Sequence, residues 1–132
     1  MNNANTVQIL FGAEGIKRVY EDSLREGSLD IVCLASDYQS VLGDSFDRDY
    51  APRLRAQVKT REILADIPGN KAGDKVRLLP LGKSSESDML ISKNKVVLIS
   101  YGKLSPLVVV ITDSELVNGF QNQFNALWAG LE

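Results

Sequence analysis

The order of its apolar segments restricts the fold of this chain more than any other feature. Two short apolar runs, Val7–Phe11 and residues 29–35, are separated by a stretch whose apolar positions repeat with the period of a helix. A strand, a helix and a strand of these lengths are typical of a βαβ crossover, in which both strands run parallel. The second run is apolar throughout, as expected of a central strand buried on both faces. The first third of the chain therefore predicts an α/β fold.

The predicted first helix has one apolar stripe, formed by Ile16, Val19, Tyr20 and Leu24, and charged residues on its other faces. A Gly-Ala-Glu-Gly sequence at residues 12–15 precedes this stripe. It lacks the glycine spacing of nucleotide-binding loops, so we interpret it as a tight strand-to-helix turn.

Beyond residue 36 the pattern changes. Residues 36–49 have the composition of a loop, and a second helix is predicted roughly over residues 49–59, with Pro52 in its first turn, where proline is tolerated. Strand-like runs follow at residues 61–65, 76–80, 89–92, 96–101 and 107–112. A C-terminal helix is predicted from an apolar stripe made of Leu116, Phe120, Phe124, Leu127 and Trp128. We expect one domain over residues 1–132, with a mixed β-sheet flanked by helices and the C-terminal helix packed on the sheet.

Composition excludes several kinds of chemistry. The chain contains no histidine and a single cysteine, Cys33, so it has no histidine-dependent catalytic triad, no histidine metal site and no internal disulfide. Its apolar runs are far shorter than a membrane span, and its net charge of −2 gives no general attraction to nucleic acid. We expect a cytoplasmic protein that is not an enzyme, holds no metal or cofactor, and contacts neither nucleic acid nor membrane directly.

Six segments spread along the chain, taken together and in order, carry a resemblance to a known family. They are GIKRVYED at residues 15–22, VRLLP at 76–80, MLI at 89–91, KVVLI at 95–99, VVI at 109–111 and FNALW at 124–128. With them the chain resembles the C-terminal effector domain of TrmB-like transcriptional regulators, whose fold is like one half of a phospholipase D. The resemblance implies a homodimer and a sensor of small polar ligands such as sugars. In that family a winged helix-turn-helix precedes the effector domain, and no corresponding helix pair is present before Val7.

The catalytic motif of phospholipase D enzymes, H-x-K-x-x-x-x-D followed by a Gly-Ser pair, is not kept. Laid on the predicted hairpin, the motif places Glu86 at the histidine, Asp88 at the lysine and Lys93 at the aspartate, while Ser100 and Tyr101 fall at the Gly-Ser pair. Acids therefore stand where a nucleophile and a phosphate-binding cation are required. The resemblance implies a phospholipase D-like fold without its catalytic motif.

Candidate ligand-binding residues follow from the expected strand ends, because ligands of open α/β sheets bind beyond the carboxyl ends of strands. Hydroxyl and carboxyl groups at such an edge suit the hydroxyl groups of a polyol, and arginines suit an anionic group. The candidates are Ser36, Asp37, Tyr38, Arg53, Arg61, Glu86, Asp88 and Tyr101.

Two other functions remain open at this point. One is a structural dimerisation module without a ligand, for which Trp128 and Leu131 are candidate contacts. The other is a hydrolase that uses Glu86 and Asp88 as an acid/base pair, since side chains two residues apart on a strand share a face.

Overall fold

The computed structural model describes residues 6–102 and 104–131, apart from the side chain of Asp47. The secondary-structure elements in chain order are β1 (Val7–Phe11), α1 (Gly12–Ser23), β2 (Ser28–Cys33), α2 (Gln39–Leu42), α3 (Phe46–Gln57), β3 (Lys59–Ala65), β4 (Val76–Leu79), β5 (Ser87–Ile91), β6 (Val96–Ser100), β7 (Leu107–Ile111) and α4 (Ser114–Gly130). The element types agree with those predicted from the sequence, except that α2 lies inside the predicted loop.

The strands form one mixed sheet in the order β1-β7-β6-β5-β2-β3-β4. β2, β3 and β4 are parallel neighbours, whereas β5, β6, β7 and β1 pair antiparallel. The predicted mixed sheet is therefore confirmed. β1 does not lie beside β2, as a simple βαβ unit would require, because the C-terminal hairpin strands β5, β6 and β7 occupy the space between them. Local periodicity contains no information about this insertion.

Helices cover both faces of the sheet, and each face has its own apolar core. On one face α1, α2 and α3 pack on the sheet through residues such as Ile16, Tyr50 and Leu54. On the other face α4 packs through Val117 and Phe124. The prediction that the C-terminal helix packs on the sheet is confirmed, and its N-terminus is capped by Asp113, whose carboxylate accepts a hydrogen bond from the Leu116 backbone N–H.

The prediction for the second helix was wrong at its start. α3 begins at Phe46, so Pro52 lies in its interior rather than in its first turn. The ring of Phe46 stacks on that of Tyr50, four residues later, at a centroid distance of 5.9 Å. This contact, together with the burial of Leu54, favours an additional turn of helix that composition alone does not indicate.

Candidate functional site

One edge of the sheet gathers six of the eight candidate ligand-binding residues. β2 and β6 end at this edge and β5, which runs antiparallel to both, begins there. Ser36, Asp37 and Tyr38 follow β2, Glu86 and Asp88 lie at the start of β5, and Tyr101 follows β6. Six of the eight predicted residues thus lie together at one edge of the sheet. Their role in binding a ligand stays a prediction.

Asp88 lies at the centre of this edge and is 4% exposed. Its Oδ2 accepts a hydrogen bond from the Tyr20 hydroxyl at 2.7 Å and lies 3.1 Å from the Tyr101 hydroxyl. Its Oδ1 accepts from the Tyr38 hydroxyl at 3.2 Å and from the Ala35 backbone N–H at 3.3 Å. We call Asp88 with Tyr20, Tyr38 and Tyr101 the Asp88 cluster. All of its donors are neutral.

The number of hydroxyl protons limits which hydrogen bonds the Asp88 cluster can form at the same time. The Tyr20 and Tyr101 hydroxyls lie 2.5 Å apart, and each phenol carries one proton. If Tyr20 donates to Asp88, then Tyr101 donates either to Tyr20 or to Asp88, but not to both. Each hydroxyl proton of Tyr20, Tyr38 and Tyr101 is therefore used in a hydrogen bond within the cluster.

Burial dominates the titration of the Asp88 cluster. It raises the pKa of Asp88 above the usual range of an aspartate, although hydrogen bonds from Tyr20, Ala35, Tyr38 and Tyr101 act in the opposite direction. Burial and the nearby Asp88 carboxylate raise the pKa of Tyr20 and Tyr101. The three tyrosines therefore stay neutral at physiological pH, and Asp88 is the group in the cluster that changes charge first as the pH rises.

Glu86 fixes the loop after β2. Its carboxylate accepts hydrogen bonds from the backbone N–H groups of Ser36 and Asp37, both at 3.0 Å, and from the Ser36 hydroxyl, also at 3.0 Å. Asp37 in turn accepts hydrogen bonds from the Ser40 N–H and hydroxyl at the start of α2. Glu86 and Asp88 thus accept hydrogen bonds from different donors. Both sets of hydrogen bonds connect β5 to the segment that follows β2.

The two candidate arginines lie elsewhere. Arg53 forms a bidentate pair with Glu21 of α1 at 2.9 and 3.0 Å. Arg61 pairs with Asp30 at 2.7 and 2.8 Å on the α4 face of the sheet, and its guanidinium lies over the Phe124 ring. Lys93, which the motif overlay placed at the catalytic aspartate, lies between β5 and β6 at the opposite edge. Their distance from the Asp88 cluster follows from tertiary pairing that the sequence does not show.

An open depression adjoins the predicted residues. It is lined by Ser36, Asp37, Tyr38, Gln39, Asp44 and Arg48. Gln39, Asp44 and Arg48 were not among the sequence-predicted residues, because they were assigned to a loop or to a solvated helix face. We call this depression the polar dish. It offers hydroxyl, amide, carboxylate and guanidinium groups to a small polar molecule.

Two properties of the described residues bear on cofactors and membranes. Within residues 6–102 and 104–131, no three histidine, cysteine, aspartate or glutamate side chains are grouped so as to hold a metal ion. In the same part of the chain, no helix is both long and apolar enough to cross a membrane.

The fold defines a class: this chain is an α/β domain with a phospholipase D-like fold. It is similar to the phospholipase D family member Nuc from Salmonella typhimurium, with a TM-score of 0.65 and 14% identity over 96% of this chain and 95% of that one. NucT from Helicobacter pylori is similar at a TM-score of 0.61 and 14% identity, over 95% of this chain and 96% of that one. No protein-family model and no curated protein matches the sequence.

A third similar structure is TrmBL2, an archaeal chromatin protein with a novel mode of DNA binding. The TM-score is 0.60 and the identity 20%, over 98% of this chain. The chain spans about half of TrmBL2, since 54% of that protein is covered. These comparisons establish the fold.

The expectation that the chain is not an enzyme was wrong. It rested on the missing histidine and on the altered motif positions, whereas Nuc, to which the fold is similar over nearly its whole length, belongs to a family named after an enzyme. The absence of histidine excludes chemistry that needs an imidazole. It does not exclude an enzyme.

Proposed function

We propose that this chain is the ligand-sensing and dimerising regulatory domain of a TrmB-like transcription regulator. The similarity in fold to TrmBL2 over 98% of the chain supports the proposal. The observation that carries it is an apolar surface on the α4 side of the sheet. This surface, the open sheet face, joins three exposed residues of β1, Val7, Ile9 and Phe11, to five partly buried residues of the same face, Leu34, Met89, Leu98, Leu107 and Val109.

The open sheet face is continuous because paired strands align its side chains. Ile9 lies opposite Val109, which lies opposite Leu98, and Leu98 lies opposite Met89. Residues directly opposite each other in antiparallel strands point to the same face. At the edge strand, Phe11 is 71% exposed. Apolar surface of this kind on a folded domain marks an interaction site.

A second copy of this chain fits the open sheet face. A two-fold contact uses the same patch on both subunits, so the patch has to be complementary to itself, and a projection beside a recess meets this requirement. Phe11 is the projection. A groove on the same face, lined by Leu34, Met89, Leu98 and Leu107 among others, is the recess. We propose that Phe11 of each copy packs into the groove of the other.

Light scattering and sedimentation across a concentration series test this association. Phe11→Glu places an unpaired charge in the contact, which costs several kcal/mol when buried, so the dissociation constant of the dimer should rise at least about a hundredfold. Gln8→Glu is the matched control, because it puts the same charge on the same strand but on the other face. A monomeric wild-type protein, or equal effects of the two variants, would contradict the dimer.

We assign ligand sensing to the polar dish and propose a small polar molecule such as a sugar. Carboxylates and amides there accept and donate hydrogen bonds to hydroxyl groups. A ligand at about 100 times its dissociation constant adds roughly 2.7 kcal/mol to the unfolding free energy, which raises the melting temperature by several degrees. Arg48→Ala should abolish this rise, whereas Arg18→Ala on the exposed face of α1 should not.

Failure of every sugar and sugar phosphate to raise the melting temperature, in a protein that dimerises, would favour a dimerisation module without a ligand. The two halves of the proposed function are thus tested separately. Neither Phe11→Glu nor Arg48→Ala changes a member of the Asp88 cluster, although Tyr38 of that cluster also lines the polar dish.

A further inference from the structure

A cavity lies between the sheet and α3, on the face opposite to the open sheet face; it shares the Tyr38 side chain with the polar dish. Its volume is about 270 Å³. Ile31, Leu54 and Leu64 contribute apolar walls from β2, α3 and β3. For comparison, an apolar cavity of about 150 Å³ in another protein is large enough to bind benzene. This cavity therefore has room for an aromatic ring with a short side chain.

Aromatic rings form a large part of the wall. Tyr20, Tyr38, Phe46 and Tyr50 all line the cavity. The tyrosine hydroxyls are engaged elsewhere: Tyr20 and Tyr38 with Asp88, and Tyr50 with Ser23 at 2.6 Å. Burial raises the pKa of Tyr50 to about 12, so its phenol is neutral. The tyrosines thus offer ring carbon to the cavity, and aromatic ring faces attract cations.

Glu62 provides a negative charge in the same cavity. It lies in the middle of β3 and is 8% exposed. Among the described residues its only ionic contact is Arg55, whose guanidinium is 4.0 Å away and whose side chain is 64% exposed. That distance is too long for a hydrogen bond. In the described part of the chain no fully buried side-chain oxygen lacks a hydrogen-bond partner, so the Glu62 carboxylate, which accepts no hydrogen bond there, keeps a solvent-accessible side that a cation can reach.

Positive side chains near Glu62 do not fill this role. Lys59 and Lys75 line a neighbouring depression that Glu62 also borders, but in the described part of the chain neither forms an ion pair with it. The cavity therefore combines aromatic walls, an apolar interior and one buried carboxylate without a close cationic partner. An organic cation supplies the positive charge that Glu62 lacks as a close partner, together with an apolar body that contacts the aromatic walls.

We propose that the cavity beneath α3 binds a small organic amine, with its aromatic or aliphatic body against Tyr20, Phe46 and Tyr50 and its ammonium group on Glu62. The ammonium takes the position beside the carboxylate that Arg55 approaches only to 4.0 Å. Arg55 stays at the rim of the cavity, where its exposed side chain has room to turn away. This site shares Tyr38 with the polar dish but has its own carboxylate, Glu62, and the proposal does not depend on the proposed sugar or on the dimer.

Calorimetric titration with three probes of similar shape tests the charge preference. The probes are 2-phenylethylammonium, neutral 2-phenylethanol and anionic 3-phenylpropanoate. We expect the ammonium to bind at least about tenfold more tightly than either of the others, since a desolvated ion pair and cation–π contact together exceed the corresponding free energy. Equal affinities, tighter binding of the anion, or no binding of the ammonium at millimolar concentration would overturn the proposal.

Two variants locate the binding site. Glu62→Gln should reduce the preference for the ammonium about tenfold or more, whereas Glu14→Gln, an exposed acid on α1, should leave it unchanged. Ala51→Leu fills the cavity from α3 and should abolish binding of all three probes while the protein stays folded. Unchanged ammonium binding in Glu62→Gln or in Ala51→Leu would overturn the assignment. Absence of amine binding in the wild-type protein, when that protein dimerises and binds a sugar, would refute this inference alone.

Discussion

Asp88 is a carboxyl group held inside the domain by neutral donors. Three phenols and one backbone N–H surround its two oxygens, and no basic side chain is among these partners. Burial raises its pKa, so the protonated form is favoured in the folded state compared with the unfolded chain. Above the unfolded value of about 3.9, the folded domain therefore binds more protons at this site than the unfolded chain does.

The stability of the domain should depend on pH through Asp88. The contribution of this residue is most favourable below about 3.9 and is progressively lost as the pH rises to the folded-state pKa, because charging the buried group costs free energy. An asparagine side chain at this position cannot be charged, so Asp88→Asn lacks this loss. We expect the unfolding free energy of the variant, relative to wild type, to increase as the pH rises from the acid side. Urea denaturation at a series of pH values measures this difference.

An exposed aspartate provides the control for this experiment. Asp22 lies on α1 and pairs with Arg25 at the surface, so Asp22→Asn removes a carboxylate without changing a buried cluster. Its stability curve should stay parallel to that of the wild type. A pH-independent difference between Asp88→Asn and the wild type would contradict the assignment of the pH effect to Asp88.

At the scale of elements, α1 follows β1 directly, with no residue between them. Gly12 has a φ of +78°, in the left-handed region that favours glycine. Gly15 packs against β1, and a Cβ atom there would lie 2.9 Å from the Leu10 Cβ. The interpretation of residues 12–15 as a tight strand-to-helix turn is thus confirmed.

Substitution of two helical glycines by alanine should change stability in opposite directions. Alanine favours a helix over glycine by roughly 1 kcal/mol. At Gly119 of α4, no atom of the described residues outside its own turn of helix lies within 4 Å of the new Cβ, so Gly119→Ala should stabilise the domain by about 0.5–1 kcal/mol. At Gly15 the contact with Leu10 outweighs this gain, and Gly15→Ala should destabilise by about 1–3 kcal/mol. Thermal and urea unfolding of both variants measure the two signs; a stabilised Gly15→Ala would show that β1 and α1 separate easily.

Element types were predictable from periodicity, whereas their ends were not. The apolar stripe of Ile16, Val19 and Tyr20 identified α1, and all three residues are buried. The loop-like composition of residues 36–49 led the sequence-based prediction to start the second helix too late, because composition did not reveal that Phe46 packs on Tyr50. The contact between Phe46 and Tyr50, one helical turn apart, extends α3 at its N-terminal end, so that Pro52 lies in the helix interior, where proline is normally disfavoured.

At the scale of the whole molecule, the sheet order brings the candidate site together. Ser36 and Glu86 are 50 residues apart in sequence, and Tyr20 and Tyr101 are 81 apart, yet each pair is hydrogen-bonded. They meet because β5 and β6, which come late in the chain, pair beside β2. The same order leaves β1 at an edge, where Phe11 is exposed. The Asp88 cluster and the open sheet face are therefore both consequences of one strand arrangement.

The position of Arg61 shows that sequence neighbours do not reveal to which face of the sheet a side chain points. Arg61 was grouped with the ligand-binding edge because it flanks, in sequence, a predicted helix that follows a polar loop. In the fold its side chain points to the α4 face, where it bridges Asp30 and Asn125. A single strand alternates its side chains between faces, so a position one residue along the chain would have pointed to the other side.

The sequence by itself determined the class of fold, the types of the elements and the polar residues of the edge, because these depend on periodicity and on residues that terminate strands. It also determined which chemistry is closed to the chain, since a missing histidine is missing in every conformation. Only the tertiary structure decided the strand order, the placement of Arg53 and Arg61, and the burial of Asp88 and Glu62. These depend on long-range pairing and on the dielectric surroundings of each group, which no local pattern of residues specifies.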